Sequence, residues 1–548
     1  MDNAQIAARL ESFGMLLELA ESNPYTIRAY RRAAETIRAT PAPVAELVAS
    51  GRVQALRGIG PGIAARLVEL VSTGSIAELD ELERELAPDL VGLGRYLGLT
   101  ARRSMQIARS LGVHTAQELR DAAAAGRLRT VPGIGPKTEA RLLDALRHPP
   151  EPRLRQGLPL NRARALLGAI AAALGGTAAG DPRRWREVCE RLAVVVGDRG
   201  AASVLDRFGG LPQIVAVIER EERRALGVTV EGVPVELVVA RPGQFGTELV
   251  RATGSDAYVA ALEPLPDGGE EAEVYAKLAT AFCPPELRER PHRDAIPELV
   301  QPGQIRGDLH CHTTWSDGRD SVEAMGRAGQ ARGYQYLAIC DHTPAVGAVP
   351  GLTPDDVRRQ GEEIARVNAM LAPFRVLRGI ECDILPDGTL DLPGDALERL
   401  DWVVASVHSH FNQTSREMTE RIVRAVRSGH VDVIGHPSGR ILGERDAYAF
   451  DLGEVLAAAR EAGVALEVNA SPGRLDLCDK ACRQAREAGC KLVISTDAHL
   501  ADHLDGLRLG VWTARRGWLE KDDVLNTRPF EEVRAALGRK RPRAHAAP

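Results

Sequence analysis

The sequence predicts a multidomain protein with a helical N-terminal region and a C-terminal α/β barrel of parallel strands. Its 548 residues are enough for three or four domains of about 100–200 residues each. Short helices separated by Gly-Pro turns fill roughly the first 150 residues, whereas apolar strands alternate with helical segments from about residue 304. Because such alternation is typical of parallel sheets, the two halves have different architectures.

Composition excludes several classes of protein. With 44% hydrophobic and 26% charged residues, the chain is neither intrinsically disordered nor a disulfide scaffold. No apolar run is long enough to span a membrane, and the N-terminus lacks the basic start and apolar stretch of a signal peptide. The eight cysteines are scattered and form no C-x-x-C pair, which indicates reduced thiols. We therefore expect a soluble cytoplasmic protein with no membrane partner.

The charge is distributed unevenly along the chain. The formal net charge is −5, yet residues 95–155 carry twelve Lys or Arg against five Asp or Glu, a local balance of +7. A basic stretch inside an acidic protein indicates a polyanionic partner, although a solvated helix face is the alternative interpretation.

A sequence repeat lies within the helical region. Residues 51–67 (GRVQALRGIGPGIAARL) and 126–142 (GRLRTVPGIGPKTEARL) are identical at nine of seventeen positions, with a constant offset of 75. Each copy predicts a helix, a GIGP turn and a second helix. Without side chains at the turn, the amides at the next helix N-terminus can face an anion. The glycines of the two turns are Gly58, Gly60, Gly133 and Gly135.

The repeat resembles the helix-hairpin-helix motif, which binds DNA phosphates through backbone amides without reading the base sequence. A third, weaker copy is indicated at residues 95–109, around Gly98. Two copies beside the basic stretch favour DNA as the partner over a plain corner between helices. The residues expected to face DNA are Gly58, Gly60, Gly62, Gly133, Gly135 and Lys137.

Seven apolar runs in the C-terminal half predict strands, and most of them end in His, Asp or Glu. The C-terminal ends of parallel barrel strands meet at one face of the barrel. Nine of the thirteen histidines lie between residues 308 and 503. A satisfied core histidine explains one such strand end but not six, so the pattern predicts a metal cluster. The runs are IRGDLHCH, YLAICDH, RVLRGIECD, WVVASVHSH, VDVIGH, VALEVNA and LVISTDAH.

Nine side chains at these strand ends are candidate metal ligands. Three ions fit nine ligands if each ion takes about three or four of them and one carboxylate bridges two ions. Mixed imidazole and carboxylate ligation suits Zn, Mn or Fe better than Mg or Ca. Ions clustered at an open face are suited to phosphoester hydrolysis. The candidates are His310, His312, Asp317, His342, Glu381, His408, His436, Asp497 and His499.

The motifs DLHCHTTWSDG, CDHT, GIECDIL, SVHSHF, GHPSGR and STDAH are similar to those of the PHP (polymerase and histidinol phosphatase) domain, a distorted (β/α)7 barrel that binds three metals. All nine ligand positions match. The resemblance implies one ion at His310, His312, Glu381 and Asp497, a second at Glu381, His408 and His436, and a third at Asp317, His342 and His499. It implies catalytic roles for Glu381, His410 and Arg440, although Arg440 could instead form a surface salt bridge. Asn469 and Arg474 are expected near the same face.

Helix-hairpin-helix repeats ahead of a PHP barrel are similar to the bacterial family X DNA polymerases, and this resemblance covers nearly the whole chain. It implies a small helical DNA-binding domain (1–80) and a fingers-like helical region (81–152). A nucleotidyltransferase-like palm and thumb with an α+β fold would follow (153–292), and then the PHP phosphoesterase domain (303–548). The expected partner is DNA, bound without sequence specificity, and the expected state is a monomer.

The palm segment departs from the family pattern of Gly-Ser, two arginines, Asp-x-Asp and a third Asp on a neighbouring strand. In the register that Arg183 sets, the serine position holds Asp181, the paired aspartates fall on Arg191 and Ala193, and the third falls on Glu236. An arginine at a ligand position repels a cation. We therefore expect no Mg pair in the palm and primer extension that is absent or very weak, with Arg183 and Glu236 as remnants of a degenerate nucleotide site.

The leading hypothesis is a DNA repair protein that acts through its PHP domain as a metal-dependent 3′–5′ exonuclease or phosphoesterase on DNA ends, with two to three Mn, Zn or Fe ions. The alternatives are an active gap-filling polymerase with PHP proofreading, a small-molecule phosphatase of the histidinol-phosphatase type, and a non-catalytic DNA-end scaffold. A small-molecule phosphatase would not need two phosphate-binding turns, which disfavours that alternative. The nine intact ligand positions disfavour a non-catalytic scaffold.

Overall fold

The computed structural model describes residues 3–19, 23–40, 43–56, 58–86, 101–113, 116–132, 134–136, 139, 157–198, 200–291, 295–347 and 349–537. Within these ranges, helices dominate the N-terminal part, a mixed sheet forms the middle and a parallel barrel forms the C-terminal part. No described helix is both long and apolar enough to cross a membrane.

Two groups of helices form the N-terminal part. In the first group the apolar faces share one core, in which the Phe13 ring meets the Tyr30 ring edge-on at 4.7 Å between centroids. A second core includes Val228 of the middle region, so the second group rests on that region. The helices are α1 (Asn3–Leu19), α2 (Pro24–Ala39), α3 (Val44–Ala49), α4 (Pro61–Thr73) and α5 (Ala77–Leu86), then α6 (Ala101–Leu111) and α7 (Ala116–Ala124).

The middle region is a five-stranded mixed sheet with helices packed against it, in the strand order β2-β4-β7-β6-β5. Strands β4 and β7 are parallel, and their register places Ala193 directly opposite Glu236. The strands of this sheet are β2 (Thr177–Gly180), β4 (Leu192–Val196), β5 (Ile214–Arg220), β6 (Arg224–Thr229) and β7 (Pro234–Val239), whereas β1 (Leu158–Pro159) and β3 (Val188–Cys189) form a separate antiparallel pair. The helices are α8 (Leu160–Leu174), α9 (Ala201–Gly209), α10 (Phe245–Thr253), α11 (Asp256–Ala260) and α12 (Glu271–Lys277).

The C-terminal part is a nearly closed barrel of seven parallel strands that follow one another in chain order. A bridge between Cys311 and Ala498 joins the first strand to the segment after the last. The strands are β8 (Gly307–Cys311), β9 (Tyr336–Ile339), β10 (Arg375–Asp383), β11 (Trp402–Ser406), β12 (Val433–Ile434), β13 (Ala465–Asn469) and β14 (Leu492–Ser495). The helices are α13 (Val322–Ala331), α14 (Pro354–Leu371), α15 (Gly394–Glu398), α16 (Ser415–Val426), α17 (Leu452–Ala462), α18 (Asp479–Glu487), α19 (Leu507–Arg516) and α20 (Phe530–Ala535).

The local sequence explains why these segments form strands and helices. Strands such as WVVAS (β11) and LVIS (β14) are buried along their whole length, as expected for strands covered on both faces. Helices α14 and α16 each begin with a capping box, formed by Thr353 with Asp356 and by Thr414 with Glu417. The predicted architecture of helical N-terminal region, α+β palm and seven-stranded barrel is therefore confirmed.

Candidate metal centre

The structure brings all nine predicted metal ligands together at the C-terminal ends of the barrel strands. His310 lies in β8 and Glu381 in β10, and the other seven side chains come from the segments that follow β8, β9, β11, β12 and β14. Three subsets have ligand atoms within 4.8 Å of one another. They are His312 with Asp317, His342 and His499, then His310 with His312 and Asp497, and then His342 with Glu381 and His408.

Glu381 lies at the middle of the cluster. Its Oε1 is 2.8 Å from His436 Nε2 and 3.4 Å from His408 Nε2. Its Oε2 is 2.9 Å from His342 Nδ1 and 3.4 Å from His310 Nε2. Because its two oxygens face different imidazoles, Glu381 is the carboxylate best placed to bridge two ions.

The spacing and the unpaired atoms fit metal ligation. Two ligands that each lie about 2.0–2.2 Å from one ion are roughly 3 Å apart, and such separations occur between His312 Nε2 and Asp497 Oδ1 (3.1 Å) and between His499 Nε2 and Asp317 Oδ2 (3.1 Å). Burial of unpaired polar atoms costs free energy, so a cation is the expected partner. In the described part of the chain, the buried atoms without a hydrogen bond include His312 Nδ1 and His436 Nδ1, and also His342 Nδ1 and Glu381 Oε2, which lie 2.9 Å apart without hydrogen-bond geometry.

The grouping differs in detail from the one that the family resemblance implies. His312 belongs to two subsets, since it meets Asp497 on one side and Asp317 on the other. His342 faces Glu381 and also lies 3.6 Å from Asp317 Oδ2. His436 belongs to none of the three subsets and joins the cluster through its contact with Glu381. The division of the nine side chains among individual ions therefore stays a prediction.

The charges of the cluster keep its central carboxylate ionised. Burial alone would raise the pKa of Glu381, but the imidazoles of His408 and His310 hold that pKa well below its usual range. Burial and repulsion from His499 lower the pKa of His312 to about 4, so this ring is neutral at neutral pH. Burial opposes protonation of His342 and His408, but the charge of Glu381 outweighs it and raises their pKa values to about 10 and about 9. Metal binding at these two rings therefore releases protons, because a ligand imidazole must be neutral.

Carboxylates behind the ligands fix the orientation of their rings, and sequence reasoning missed them. Glu467 Oε1 lies 2.7 Å from His310 Nδ1, and Glu467 Oε2 accepts the backbone N–H of His436 at 2.6 Å. Asp383 Oδ2 lies 3.4 Å from His408 Nδ1. Such partners hold a ligand ring in place and raise its basicity. The available signal was an acidic residue inside an otherwise apolar buried strand, as in ALEVN.

Two further buried aspartates hold the segments that carry ligands. Asp308 accepts the hydroxyl of Thr496 at 2.6 Å, which ties β8 to the end of β14. Asp341 accepts the backbone N–H of Thr313 at 2.8 Å and the hydroxyl of Ser316 at 2.6 Å. The segment between His312 and Asp317 is thereby anchored to the end of β9.

Backbone strain occurs at two of the ligands. His436 has φ +26° and Asp497 has φ +55°, a region that residues other than glycine rarely adopt. Strained residues persist where the surroundings hold them, and they cluster at functional sites. This observation adds to the case for function without identifying the chemistry.

The two predicted phosphate contacts have different outcomes. Arg440 donates through Nη1 and Nη2 to Glu187 of the middle region at 3.0 and 2.6 Å, and through Nε to the carbonyl of Arg474 at 3.0 Å. Each of its nitrogens is engaged by a protein group, which speaks against the phosphate role; the partner comes from another domain, which sequence spacing could not reveal. His410 is exposed after β11, with φ +55°, and its catalytic role stays a prediction.

The first GIGP turn leaves open space above its glycines. Gly58 has φ +84°, and Gly60 precedes α4, in which Pro61 is the first residue. A Cβ atom added at Gly58, Gly60 or Gly62 would meet no atom within 4 Å. The free amides of the first turn of α4 therefore lie where an anion can approach.

The second turn repeats the hydrogen bonds of the first at an offset of 75. Ala64 donates its N–H to the Gly60 carbonyl at 2.9 Å, and Glu139 donates to the Gly135 carbonyl at 3.0 Å. Gly135 also has open space at its Cβ position. The predicted contacts Gly133 and Lys137, and the weaker third copy around Gly98, lie outside the described residues.

Comparison with known families and proteins agrees with this architecture. A helix-hairpin-helix domain matches residues 1–76, a SAM-like helix-hairpin-helix tandem matches residues 97–148, and a PHP domain matches residues 308–471. The "DNA polymerase/3'-5' exonuclease PolX" of Bacillus subtilis (strain 168) is 35% identical over 574 aligned positions, which cover 98% of this chain and 100% of the relative. The chain belongs to the PolX family.

Other relatives match a smaller part of this PolX-family chain. A probable phosphatase of Thermoanaerobacter sp. (strain X514) is 29% identical over 232 residues, 40% of this chain and 89% of the relative. A probable phosphatase of Aliivibrio fischeri is 30% identical over 231 residues, 40% of this chain and 88% of the relative. The Bacillus subtilis relative, which covers 98% of this chain, confirms the predicted family X resemblance across nearly the whole chain.

In the palm of this PolX-family member, the predicted nucleotide site has its charges paired. Glu236 accepts Arg224 Nη1 at 2.8 Å. Arg183 donates through Nη1 and Nη2 to the two carboxylate oxygens of Glu271 at 2.7 and 2.8 Å. A guanidinium that already holds a carboxylate in this bidentate manner has little capacity left for a phosphate.

The positions of the paired aspartates offer no acidic partner to Glu236. Ala193 lies beside Glu236 across the parallel pair and packs into an apolar cluster with Val195 and Val238. Arg191 forms an ion pair with an exposed aspartate of α11, at 2.5 Å. Among the described residues, every group of side chains suited to a metal lies in the barrel.

Proposed function

We propose that this protein is a metal-dependent phosphoesterase that removes nucleotides from DNA 3′ ends through its PHP centre. The observation that carries the proposal is the convergence of nine candidate ligand side chains with Glu381 at the middle, some of whose buried atoms lack a hydrogen bond. The donor set of imidazoles and carboxylates fits two to three Mn, Zn or Fe ions. When bound, such ions would activate water and neutralise charge on the phosphate oxygens.

The side chains of the barrel have separate tasks in this proposal. Glu381 would bridge two ions and hold their separation constant. Glu467 orients the His310 ring through its 2.7 Å contact, so that Nε2 points into the centre. His410, exposed at the rim after β11, is proposed to contact the DNA end from the solvent side.

DNA is the proposed substrate because two helix-hairpin-helix matches precede the barrel. The open space at Gly58, Gly60 and Gly62 leaves room for a phosphate to approach the backbone, and contacts of this kind carry no base specificity. The 3′–5′ polarity is proposed because the Bacillus subtilis relative is named a 3'-5' exonuclease. The proposed location is the cytoplasm, where a DNA substrate would be found.

We further propose that the palm does not extend primers. Arg191 and Ala193 stand where metal-binding aspartates are needed, and Glu236 is held by Arg224. Two-metal chemistry requires carboxylates that hold both ions at once. An active gap-filling polymerase is the second candidate, because the relative that matches 98% of this chain is named a polymerase. The probable phosphatases support a phosphoester substrate in general.

Hydrolysis of end-labelled duplex DNA tests the proposal. The purified full chain, loaded with Mn, should shorten strands from their 3′ ends and leave a 5′ label on a ladder of fragments. A chelator should stop the reaction, and added Mn should restore it. Absence of hydrolysis with Mn, Zn and Fe alike, or stepwise removal of nucleotides from the 5′ end, would contradict the proposal.

A further inference from the structure

The loop between β2 and β3 of the palm (residues 181–187) packs against the barrel beside the metal centre. Glu187, at one end of this loop, receives both terminal nitrogens of Arg440 at 3.0 and 2.6 Å. Two residues earlier, the Trp185 ring is stacked on Trp512 of α19, with centroids 4.7 Å apart and an interplanar angle of 9°. An ion pair and an aromatic stack therefore join the same short loop to the barrel.

The loop is braced from within the palm. Asp181 is buried, and its Oδ2 accepts the backbone N–H groups of Glu190 at 2.7 Å and Arg191 at 2.9 Å. The same carboxylate pairs with the buried guanidinium of Arg184. Because these groups are buried and their hydrogen bonds are made within the loop and its neighbours, the loop holds Glu187 in a fixed position.

Arg440 connects Glu187 to a barrel segment next to the metal centre. Its Nε donates to the carbonyl of Arg474 at 3.0 Å, and its Nη2 also donates to the carbonyl of Leu475. Leu475 has φ +43° and is packed in the hydrophobic core of the palm. A bulky residue keeps such a backbone conformation only where its surroundings hold it. The barrel segment 471–476 is thus shaped by the palm.

This segment also carries the guanidinium of Arg474, which lies beside the metal ligands. Arg474 Nε lies 3.5 Å from Oδ2 of the ligand Asp497. Its Nη1 is buried and has no hydrogen-bond partner among the described residues. A guanidinium with a free donor next to a metal centre is suited to a phosphate oxygen.

We infer that Glu187 of the palm is a positioning residue of the PHP centre, which acts through Arg440 to hold Arg474 where its free donor meets the phosphate of bound DNA. The inference rests on the proposed function of the centre. It gives the palm a task that requires no nucleotide chemistry: the loop that carries Arg183 of the degenerate nucleotide site serves as the docking element of the nuclease.

Steady-state kinetics on the full chain test the inference. Glu187→Ala should lower kcat/KM for a 3′-end-labelled oligonucleotide on the order of 10- to 100-fold, as expected for loss of a group that orients an active-site side chain. The content of bound Mn should not change, because no metal ligand is touched. Glu187→Gln, which keeps one acceptor oxygen for Arg440 and replaces the other by an NH2 group, should recover part of the loss. The matched control is Glu231→Ala, which removes another palm carboxylate paired with an arginine, Arg162, at 2.5 Å.

The decisive readout is the combination with Arg474→Ala. If Glu187 acts through Arg474, Glu187→Ala should have little further effect in the Arg474→Ala background. Equal losses in both backgrounds would show a general structural role and overturn the inference, as would a folded Glu187→Ala protein with wild-type kinetics. If the unmodified protein hydrolyses no DNA, the proposed function itself fails and the inference with it. Normal activity that Glu187→Ala leaves unchanged removes only the inference.

Discussion

The palm and the barrel both contain paired charges, but the partners of their carboxylates differ. In the palm, carboxylates face guanidinium groups, as Glu236 faces Arg224 and Glu271 faces Arg183. In the barrel, Glu381 is surrounded by imidazoles. An arginine stays protonated and keeps its carboxylate neutralised, whereas an imidazole can give up its proton and become a metal ligand itself. The kind of partner, more than the number of acidic residues, distinguishes a metal centre from a structural ion-pair network.

Removal of the central barrel carboxylate should have the largest effect. In Glu381→Ala, two ions lose their shared ligand, and hydrolysis of DNA ends should fall on the order of a thousandfold or more, equivalent to several kcal/mol of lost charge stabilisation. Metal content measured by mass spectrometry should fall as well. The control is Glu398→Ala, which removes an exposed carboxylate of α15. Unchanged metal content in Glu381→Ala would break the contrast between the two regions.

A carboxylate behind the ligands should matter less than a ligand. Glu467→Gln preserves the shape of the side chain but removes the charge that faces His310. We expect metal affinity or activity to fall about 10- to 100-fold, since the ring orientation and its basicity both depend on this partner. Titration with Mn under chelator buffering measures the change. Wild-type Mn affinity would show that the imidazole cluster needs no fixed orientation.

The helix-hairpin-helix turn should affect DNA binding without affecting either charged region. Gly62→Asp introduces a negative charge near the helix N-terminus, where it favours the helix by about 0.3–1 kcal/mol but repels a phosphate. Repulsion of about 1 kcal/mol predicts DNA binding weaker by roughly fivefold, measured by fluorescence anisotropy at low salt. Hydrolysis of a small chromogenic phosphodiester should be unchanged, and Gly62→Ala is the neutral control. Equal DNA affinity in Gly62→Asp would assign the turn to packing alone.

Restoring carboxylates to the palm should have the smallest effect. The double variant Arg191→Asp with Ala193→Asp places two acidic groups beside Glu236, and weak Mn-dependent binding of a deoxynucleoside triphosphate should appear. The gain should stay within about tenfold, because Arg224 still neutralises Glu236 and Asp181 stands at the serine position. Isothermal titration calorimetry of the variant and the unmodified chain gives the comparison. Tight triphosphate binding by the unmodified chain would show that the register through residues 180–198 is wrong.

The sequence predicted those features that depend on chemistry spaced along one strand or turn. His310 and His312 lie two apart and therefore share a face of β8 and its extension, and GIGP marks a turn wherever it occurs. The strand ends named the nine ligand candidates, because parallel strands deliver their ends to one face. The fold class followed from the same alternation of strands and helices.

The sequence could not predict contacts between distant segments. Glu187 and Arg440 are 253 positions apart, so no spacing rule joins them, and Arg440 was assigned to phosphate instead. Glu467 was missed because an acidic residue in an apolar strand indicates burial without naming its partner. The division of ligands among ions was also beyond spacing, since His312 and His342 each face two groups only after the strands have closed into a barrel.

Primer extension in a protein with a disabled barrel tests most directly the claim that the barrel carries the chemistry and the palm does not. A gapped, labelled template–primer is incubated with deoxynucleoside triphosphates and Mn, using Glu381→Ala so that no nuclease removes the product. We expect an unextended primer with Glu381→Ala and a primer shortened from its 3′ end with the unmodified chain. Template-directed extension by Glu381→Ala would contradict the claim that the palm is inactive and show that it is a working polymerase.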